Sequence, residues 1–210
     1  MEYVDILLPP DFRKSGLTKL KEEAWRDGSW IGAFNLWIIQ DGPNPAMVYQ
    51  RRSLAASWEP GKLDVAAGGH LTAGEEGIDG LREAREELGL DLRPEDLVYA
   101  GKKLGVTLDA AGVERHMVID IYLVLDATPL ARYALQEEEV SAVFSCPLAD
   151  LIKAHTVPGY SFEAHGVNAA GEEVSLTVTK DSFPYNADSY QFKMVLLAKR
   201  LLDGDPYIIY

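Results

Sequence analysis

The chain has 210 residues, 47% of them hydrophobic and 25% charged, which is the composition of a globular protein with a sizeable core. Its 33 acidic and 20 basic residues give a net charge of −13, which argues against a polynucleotide or an anionic membrane as the partner. A single cysteine, Cys146, rules out an intrachain disulfide, and no apolar run is long enough to cross a bilayer, so we expect a cytoplasmic protein.

The first quarter of the chain predicts a short helix followed by a β-hairpin. Leucine and alanine recur at helical spacing within residues 17–27, and Gly28 follows them as a stop signal. Residues 33–39 are aromatic and β-branched, a turn sequence with prolines follows, and residues 47–52 alternate between polar and apolar side chains. We expect the last two segments to form neighbouring strands.

The remaining elements alternate between helices and strands. A segment that is rich in glycine and contains proline precedes a helix predicted over residues 75–89. The later segments are, in order, strands over 97–106 and 116–125, a helix over 147–155, a strand over 172–179 and a helix over 189–204. This order predicts an α/β or α+β fold with a mixed sheet.

Three carboxylates stand out within the helix predicted over residues 75–89. Glu83, Glu86 and Glu87 are spaced i, i+3, i+4, so a helix places them on one face, where like charges destabilise it by roughly 0.2–0.5 kcal/mol per pair. A divalent cation would relieve this repulsion, and carboxylate oxygens completed by water and phosphate oxygens suit Mg²⁺, with Mn²⁺ as a second choice. Gly68 and Gly69 lie upstream in a flexible turn through which phosphate can approach the backbone.

The same segment resembles the signature of the Nudix hydrolases, Gly-x5-Glu-x7-Arg-Glu-U-x-Glu-Glu-x-Gly-U, in which U is aliphatic. Only six residues separate Glu75 from Arg82, one fewer than in the signature, which leaves open whether Glu75 or Gly74 fills the first glutamate slot. The residues that fill the pattern are Gly69, Glu75, Arg82, Glu83, Ala84, Glu86, Glu87, Gly89 and Leu90.

The resemblance implies a Nudix-like mixed sheet sandwiched between helices. It also implies hydrolysis of a nucleoside diphosphate linked to another group X, with water attacking one phosphorus atom. Glu83, Glu86 and Glu87 would hold Mg²⁺ together with the carbonyl oxygen of Gly69. Arg82 would orient these carboxylates through charge-assisted hydrogen bonds.

The general base and the phosphate-binding cations are less closely defined. Glu83 is one candidate for the base; Glu137, Glu138 and Glu139 are others, and of these three we retain Glu139. Arg51 and Arg52 alternate faces along their strand, so we expect one of them to point at the substrate phosphates.

Two other functions compete with hydrolysis. One is a Nudix-like module that binds a nucleotide without cleaving it, although the three carboxylates favour an enzyme. The other is isopentenyl-diphosphate isomerase, because residues 50–53 and 58–61 resemble the segments that lead into the signature in proteins related to that enzyme. The isomerase has a cysteine where this chain has Gly68.

The resemblance covers the middle of the chain and divides it into three parts. We predict an N-terminal extension with a short helix over residues 1–29 and a Nudix domain over 30–155. A strand and a helix over 156–210 are expected to pack on the same domain. A homodimer is the expectation at the level of the family.

Overall fold

Eleven β-strands join one hydrogen-bonded sheet in the computed structural model, which describes residues 2–108, 112–184 and 187–210. The strands are Tyr3–Leu8 (β1), Arg13–Leu20 (β2), Trp30–Gln40 (β3), Ala46–Arg52 (β4), Leu63–Asp64 (β5), Ala67–His70 (β6), Val98–Leu108 (β7), Glu114–Leu125 (β8), Val140–Pro147 (β9), Phe162–Asn168 (β10) and Glu173–Val178 (β11). The α-helices in these ranges are Lys21–Arg26 (α1), Arg82–Leu88 (α2), Leu148–Thr156 (α3) and Tyr190–Leu202 (α4). Within the described residues, no helix has the length and apolar character needed to span a membrane.

The strand β3 lies at the centre of the sheet and brings the hairpin and the glycine-rich segment together. Along one edge it runs parallel to β8. Along the other edge it pairs antiparallel with β6, where Asn35 lies opposite Gly68, and farther on with β4, as the predicted hairpin requires. The sheet therefore mixes parallel and antiparallel pairs.

Side chains of β3 alternate between two hydrophobic layers because successive residues of a strand point to opposite faces. Phe34 and Leu36 belong to a buried cluster that includes Ala84 and Leu88 of α2. Trp37 belongs to the other cluster, which includes residues of α3 and α4. Helices thus cover both faces of the sheet, which confirms the predicted sandwich.

Two helix predictions are wrong in extent. The helix expected over residues 17–27 is only Lys21–Arg26, because the preceding residues form β2 and pair with β1 at one end of the sheet. The helix expected over residues 75–89 begins as a 3-10 turn, Gly77–Leu81, and becomes α-helical only at Arg82–Leu88. Pairing with the preceding strand overrides local helical spacing in the first case.

Candidate active site

The carboxylates of Glu83 and Glu87 lie against the backbone of β6. Glu83 is 8% exposed and Glu87 is 3% exposed, and both project from α2 toward Gly68 and Gly69. A Cβ atom at residue 69 would lie 2.1 Å from Oε1 of Glu83, so only glycine leaves room for that carboxylate. The two glycines singled out in the sequence therefore allow two buried carboxylates to reach the backbone.

Two donors hold the carboxylate of Glu87. The backbone N–H of Gly68 donates to Oε2 over 3.1 Å, and the side-chain amide of Gln50 donates to the same oxygen over 3.3 Å. Gln50 is 2% exposed and comes from β4, so its contact fixes the carboxylate from the side of the sheet. The sequence gives no sign of this role for Gln50, because the contact joins residues 37 positions apart.

Arg82 connects the acidic residues of the helix to the loop that precedes it. Its Nη1 donates to Glu83 over 2.7 Å and to Glu86 over 3.1 Å. Its Nε donates to Glu75 over 2.8 Å, and its Nη2 donates to the carbonyl oxygen of His70 over 2.9 Å. The guanidinium therefore orients the carboxylates, in the arrangement that the resemblance implies.

The geometry distinguishes Glu75 from Gly74 as the partner of Arg82. Glu75 lies between the guanidinium and the backbone N–H of Thr72, which donates to it over 2.7 Å. Burial would raise the pKa of Glu75, but these hydrogen bonds outweigh it and the net pKa is lowered. The shorter spacing between Glu75 and Arg82 is bridged by the 3-10 turn, since its five residues rise about 10 Å, as far as about seven residues of an α-helix.

The electrostatics of the two buried carboxyl groups favour a bound cation. Burial raises the pKa of Glu83 to about 7, against the opposing effect of Arg82. Burial and then the neighbouring Glu83 raise the pKa of Glu87 well above its usual value. An added positive charge would stabilise the ionised form of both groups.

Glu86 is placed differently from its two neighbours. Its side chain is 55% exposed and is turned toward Arg82. As their side chains stand, no three His, Cys, Asp or Glu residues in the described part of the chain converge closely enough to hold a metal ion. The close approach of the Glu83 carboxylate to the backbone of Gly69, with the raised pKa of both buried carboxyls, nevertheless fits a hard divalent cation bound by oxygen ligands.

A cavity of about 510 Å³ adjoins this cluster. It meets the carboxylates at Gln50, Gly68 and Gly69, which belong to its lining. Three cationic side chains, two carboxylates and several apolar residues also line it, the charged ones being Arg52, Lys103, Arg115, Asp64 and Asp188. Cations thus outnumber carboxylates in the lining of this cavity although the whole chain carries a charge of −13.

Of the remaining predicted residues Arg51, Arg52 and Glu139, one lines this cavity. Arg52 lines it, with its guanidinium over the ring of Trp58 at 5.2 Å, whereas Arg51 is not part of the lining and donates to the carbonyl oxygen of Gly61. Glu139 is exposed, but its charge contributes to the raised pKa of both Glu83 and Glu87. Of the two arginines, only Arg52 is therefore placed to meet a ligand in the cavity.

Comparison with known proteins gives several Nudix hydrolases and also an isopentenyl-diphosphate Delta-isomerase of Escherichia coli, which is 24% identical over 131 residues. No family model matches the chain. The chain is 28% identical over 185 residues to an uncharacterized Nudix hydrolase of Clostridium acetobutylicum, which covers 86% of this chain and 89% of that protein. It is 34% identical over 152 residues to Nudix hydrolase 3 of Arabidopsis thaliana, a match that covers 70% of this chain but only 19% of that longer protein. The crystal structure of a MutT/nudix family protein from Enterococcus faecalis shares the fold, with a TM-score of 0.53 at 13% identity over 84% of this chain and 65% of that one.

Proposed function

This chain belongs to the Nudix hydrolase family, whose members act on pyrophosphate bonds, and we propose that it cleaves a nucleoside diphosphate linked to another group X. The observation that carries the proposal is the pair of buried carboxylates, Glu83 and Glu87, beside a cavity whose lining holds three cationic side chains and two carboxylates. A pyrophosphate is anionic, so the three cations would attract it to a cavity that meets the buried carboxylates at Gly69. A panel of nucleoside diphosphate derivatives, assayed for phosphate-containing products with Mg²⁺ and with Mn²⁺, tests the proposal.

The acidic cluster would hold the divalent cation on which this reaction depends. Its ligands would be Glu83, Glu86 and Glu87 with the carbonyl oxygen of Gly69, and Mg²⁺ or Mn²⁺ would suit these oxygens. When bound, the ion would neutralise charge on the phosphate oxygens and lower the pKa of a water molecule. Glu86 would need only a side-chain rotation away from Arg82, because it is half exposed.

Residues of the chain itself supply binding and proton transfer. Arg52, held between Trp58 and the carboxylate of Asp64, would contact the substrate phosphates from the cavity wall. Glu83 is the better placed of the two candidate bases, because it adjoins Gly69 in the cavity lining whereas Glu139 is exposed. The water that attacks phosphorus would give its proton to Glu83.

Glutamine at position 139 tests this assignment of the base. We expect Glu139→Gln to lower kcat by less than about tenfold, because its exposed carboxylate reaches the buried pair through a hydrogen bond to Glu87, which glutamine can keep, whereas loss of a general base costs about a hundredfold or more. Steady-state kinetics of Glu139→Gln and of the matched surface variant Glu138→Gln measure the difference. A hundredfold fall that is confined to Glu139→Gln would make Glu139 the base instead.

Lysine at position 82 tests the positioning role of the guanidinium. Lysine keeps the charge but cannot donate in a planar fork to Glu75, Glu83 and the carbonyl oxygen of His70 at once, so we expect kcat to fall by about a hundredfold while KM for the substrate changes less than threefold. The control is Arg85→Lys on the exposed side of the same helix. A variant with unchanged kcat, or one in which only KM rises, contradicts a positioning role.

The competing functions find less support in these residues. The isomerase hypothesis requires a reactive thiol, but Cys146 is fully buried in the core on β9, and burial raises its pKa to about 12. A module that only binds nucleotides would have no need of Glu83 and Glu87, whose burial is costly.

Three expectations stay predictions. They are the division into residues 1–29, 30–155 and 156–210, the homodimer and the cytoplasmic location. Light scattering would test the homodimer directly, and a monomer mass would contradict it. The strands β1, β2, β10 and β11, which come from the terminal segments, pair within the same sheet as the central strands, and this favours a single folding unit.

A further inference from the structure

A pair of buried polar side chains closes the cavity on the side of α4. Gln191, from the first turn of α4, and Asp64, from β5, both line the cavity. The Nε2 atom of Gln191 lies 3.5 Å from Oδ1 of Asp64. Gln191 is only 3% exposed, yet its Oε1 atom has no hydrogen-bond partner among the residues that the structure describes. Leaving a buried carbonyl oxygen unpaired is costly, so this atom is suited to accept a hydrogen bond from a ligand.

Asp64 is held mainly through one of its two carboxylate oxygens. Its Oδ1 accepts from the backbone N–H of Val65 over 2.9 Å as well as from Gln191. Its Oδ2 lies 3.7 Å from Nη1 of Arg52, which is beyond a direct hydrogen bond. Arg52 is itself fixed, since its Nε donates to the carbonyl oxygen of Trp58 over 2.9 Å. Oε1 of Gln191 and Oδ2 of Asp64 are therefore two acceptor oxygens whose positions are fixed by neighbouring hydrogen bonds.

The position of this pair relates it to the reaction centre. Gln50 lies opposite Asp64 in the register of β4 and β5, and the side chain of Gln50 holds Glu87. Adjacent strands are about 4.8 Å apart, so Asp64 lies about one strand away from Gln50, the residue that holds the carboxylate of Glu87. A substrate whose pyrophosphate lies at Gly69 can thus extend one of its organic groups toward α4.

We propose that Gln191 and Asp64 form a recognition subsite for the hydrogen-bond donors of one organic group flanking the pyrophosphate, and this inference rests on the proposed function. Both oxygens accept, so the group they recognise carries O–H or N–H donors and no negative charge. Apolar side chains complete the wall, including Val65, Met117 and Ile119, which suits the carbon skeleton of a sugar or a base. Such donors occur in the nucleoside and in a polyhydroxylated X, and the test distinguishes these two sources.

The test uses three matched probes for each of the four common bases. The first is the nucleoside diphosphate glucose, the second its 2′,3′-dideoxynucleoside form, and the third the nucleoside diphosphate methyl ester. With the wild-type protein, we expect KM to rise about tenfold for the probe that lacks the recognised donors, with kcat within threefold. A rise with the second probe assigns the subsite to the nucleoside, and a rise with the third assigns it to X.

The variant Gln191→Met removes the acceptor while keeping the length of the side chain. We expect it to raise KM about tenfold for the complete probe and to abolish the difference between the complete and the stripped probe. The matched control is Lys199→Met, on an exposed turn of the same helix. Because the wild-type comparison needs no variant, a misfolded Gln191→Met would leave the test intact.

Binding measured by calorimetry in metal-free buffer separates this inference from the proposed function. If the wild-type protein binds the probes with the expected preference but cleaves none, the subsite stands and the proposed hydrolysis fails. If it cleaves all three probes with equal KM for each of the four bases, and with the same KM whichever base is present, the hydrolysis stands and the subsite is overturned. If it neither binds nor cleaves any probe, both are overturned.

Discussion

Replacing Glu87 by glutamine is expected to lower kcat by about a thousandfold, because the variant removes a charge that the reaction needs at the cavity edge. Glutamine has the same shape and can still accept from Gly68 and Gln50 through its carbonyl oxygen. The melting temperature should therefore not fall. Burial raises the pKa of Glu87 well above its unfolded value, so its carboxylate form destabilises the fold increasingly as the pH rises above that unfolded value. A neutral glutamine carries no such penalty, and at pH 8 the variant should be at least as stable as the wild type.

A surface substitution of the same type is the control for this experiment. Glu95→Gln changes an exposed glutamate outside the site and should leave both kcat and the melting temperature unchanged. Glu86→Gln is expected to give a smaller loss than Glu87→Gln, about a hundredfold, because its carboxylate is half exposed and shared with Arg82. Hydrolysis by Glu86→Gln and Glu87→Gln at the wild-type rate would contradict the assignment of the acidic cluster.

The sequence alone predicted the components of this cluster because they lie close together along the chain. Glu83 and Glu87 are separated by one turn of a helix, and the residues of the signature fix their distance to Arg82. Spacing on a helix left open which neighbour Glu86 would contact, because it is i+3 from Glu83 and also i+4 from Arg82. In the structure Glu86 accepts a hydrogen bond from Arg82 and stays half exposed, while Glu83 lies against Gly69.

The residues that the sequence analysis missed make contacts over long distances in the chain. Gln50 reaches Glu87 across 37 positions, and Gln191 reaches Asp64 across 127. The pairing of β4 with β5 and the packing of α4 bring the two glutamines to the cavity. Polar residues inside an otherwise apolar stripe are the signal that could have found them, since Gln191 follows buried Tyr190 and precedes buried Met194.

Within the fold, the elements that could be predicted are those with a strong local periodicity. The hairpin and the final helix were predictable because their periodicity is strong within one segment. The strand β2 was mistaken for part of a helix, since Leu17 and Leu20 have helical spacing, and its true partner is β1. The edge position of β2 also hides the alternation typical of a half-buried strand, because most of its side chains are exposed.

Removing divalent metal is expected to lower hydrolysis at least about a thousandfold, because the cation would supply both charge neutralisation and an activated water. Dialysis against EDTA followed by a rate assay measures the loss, and added Mg²⁺ or Mn²⁺ should restore the activity. Restoration by neither ion would contradict the metal assignment.

Thermal stability gives a second measure of metal binding that does not depend on catalysis. A ligand that binds only the folded state stabilises it by about 2.7 kcal/mol at a hundred times its dissociation constant. Saturating Mg²⁺ should therefore raise the melting temperature of the wild-type protein, since it relieves the repulsion between the buried Glu83 and Glu87. The same addition should have a much smaller effect on Glu87→Gln, where that repulsion is already absent, and an equal rise in both proteins would place the ion elsewhere.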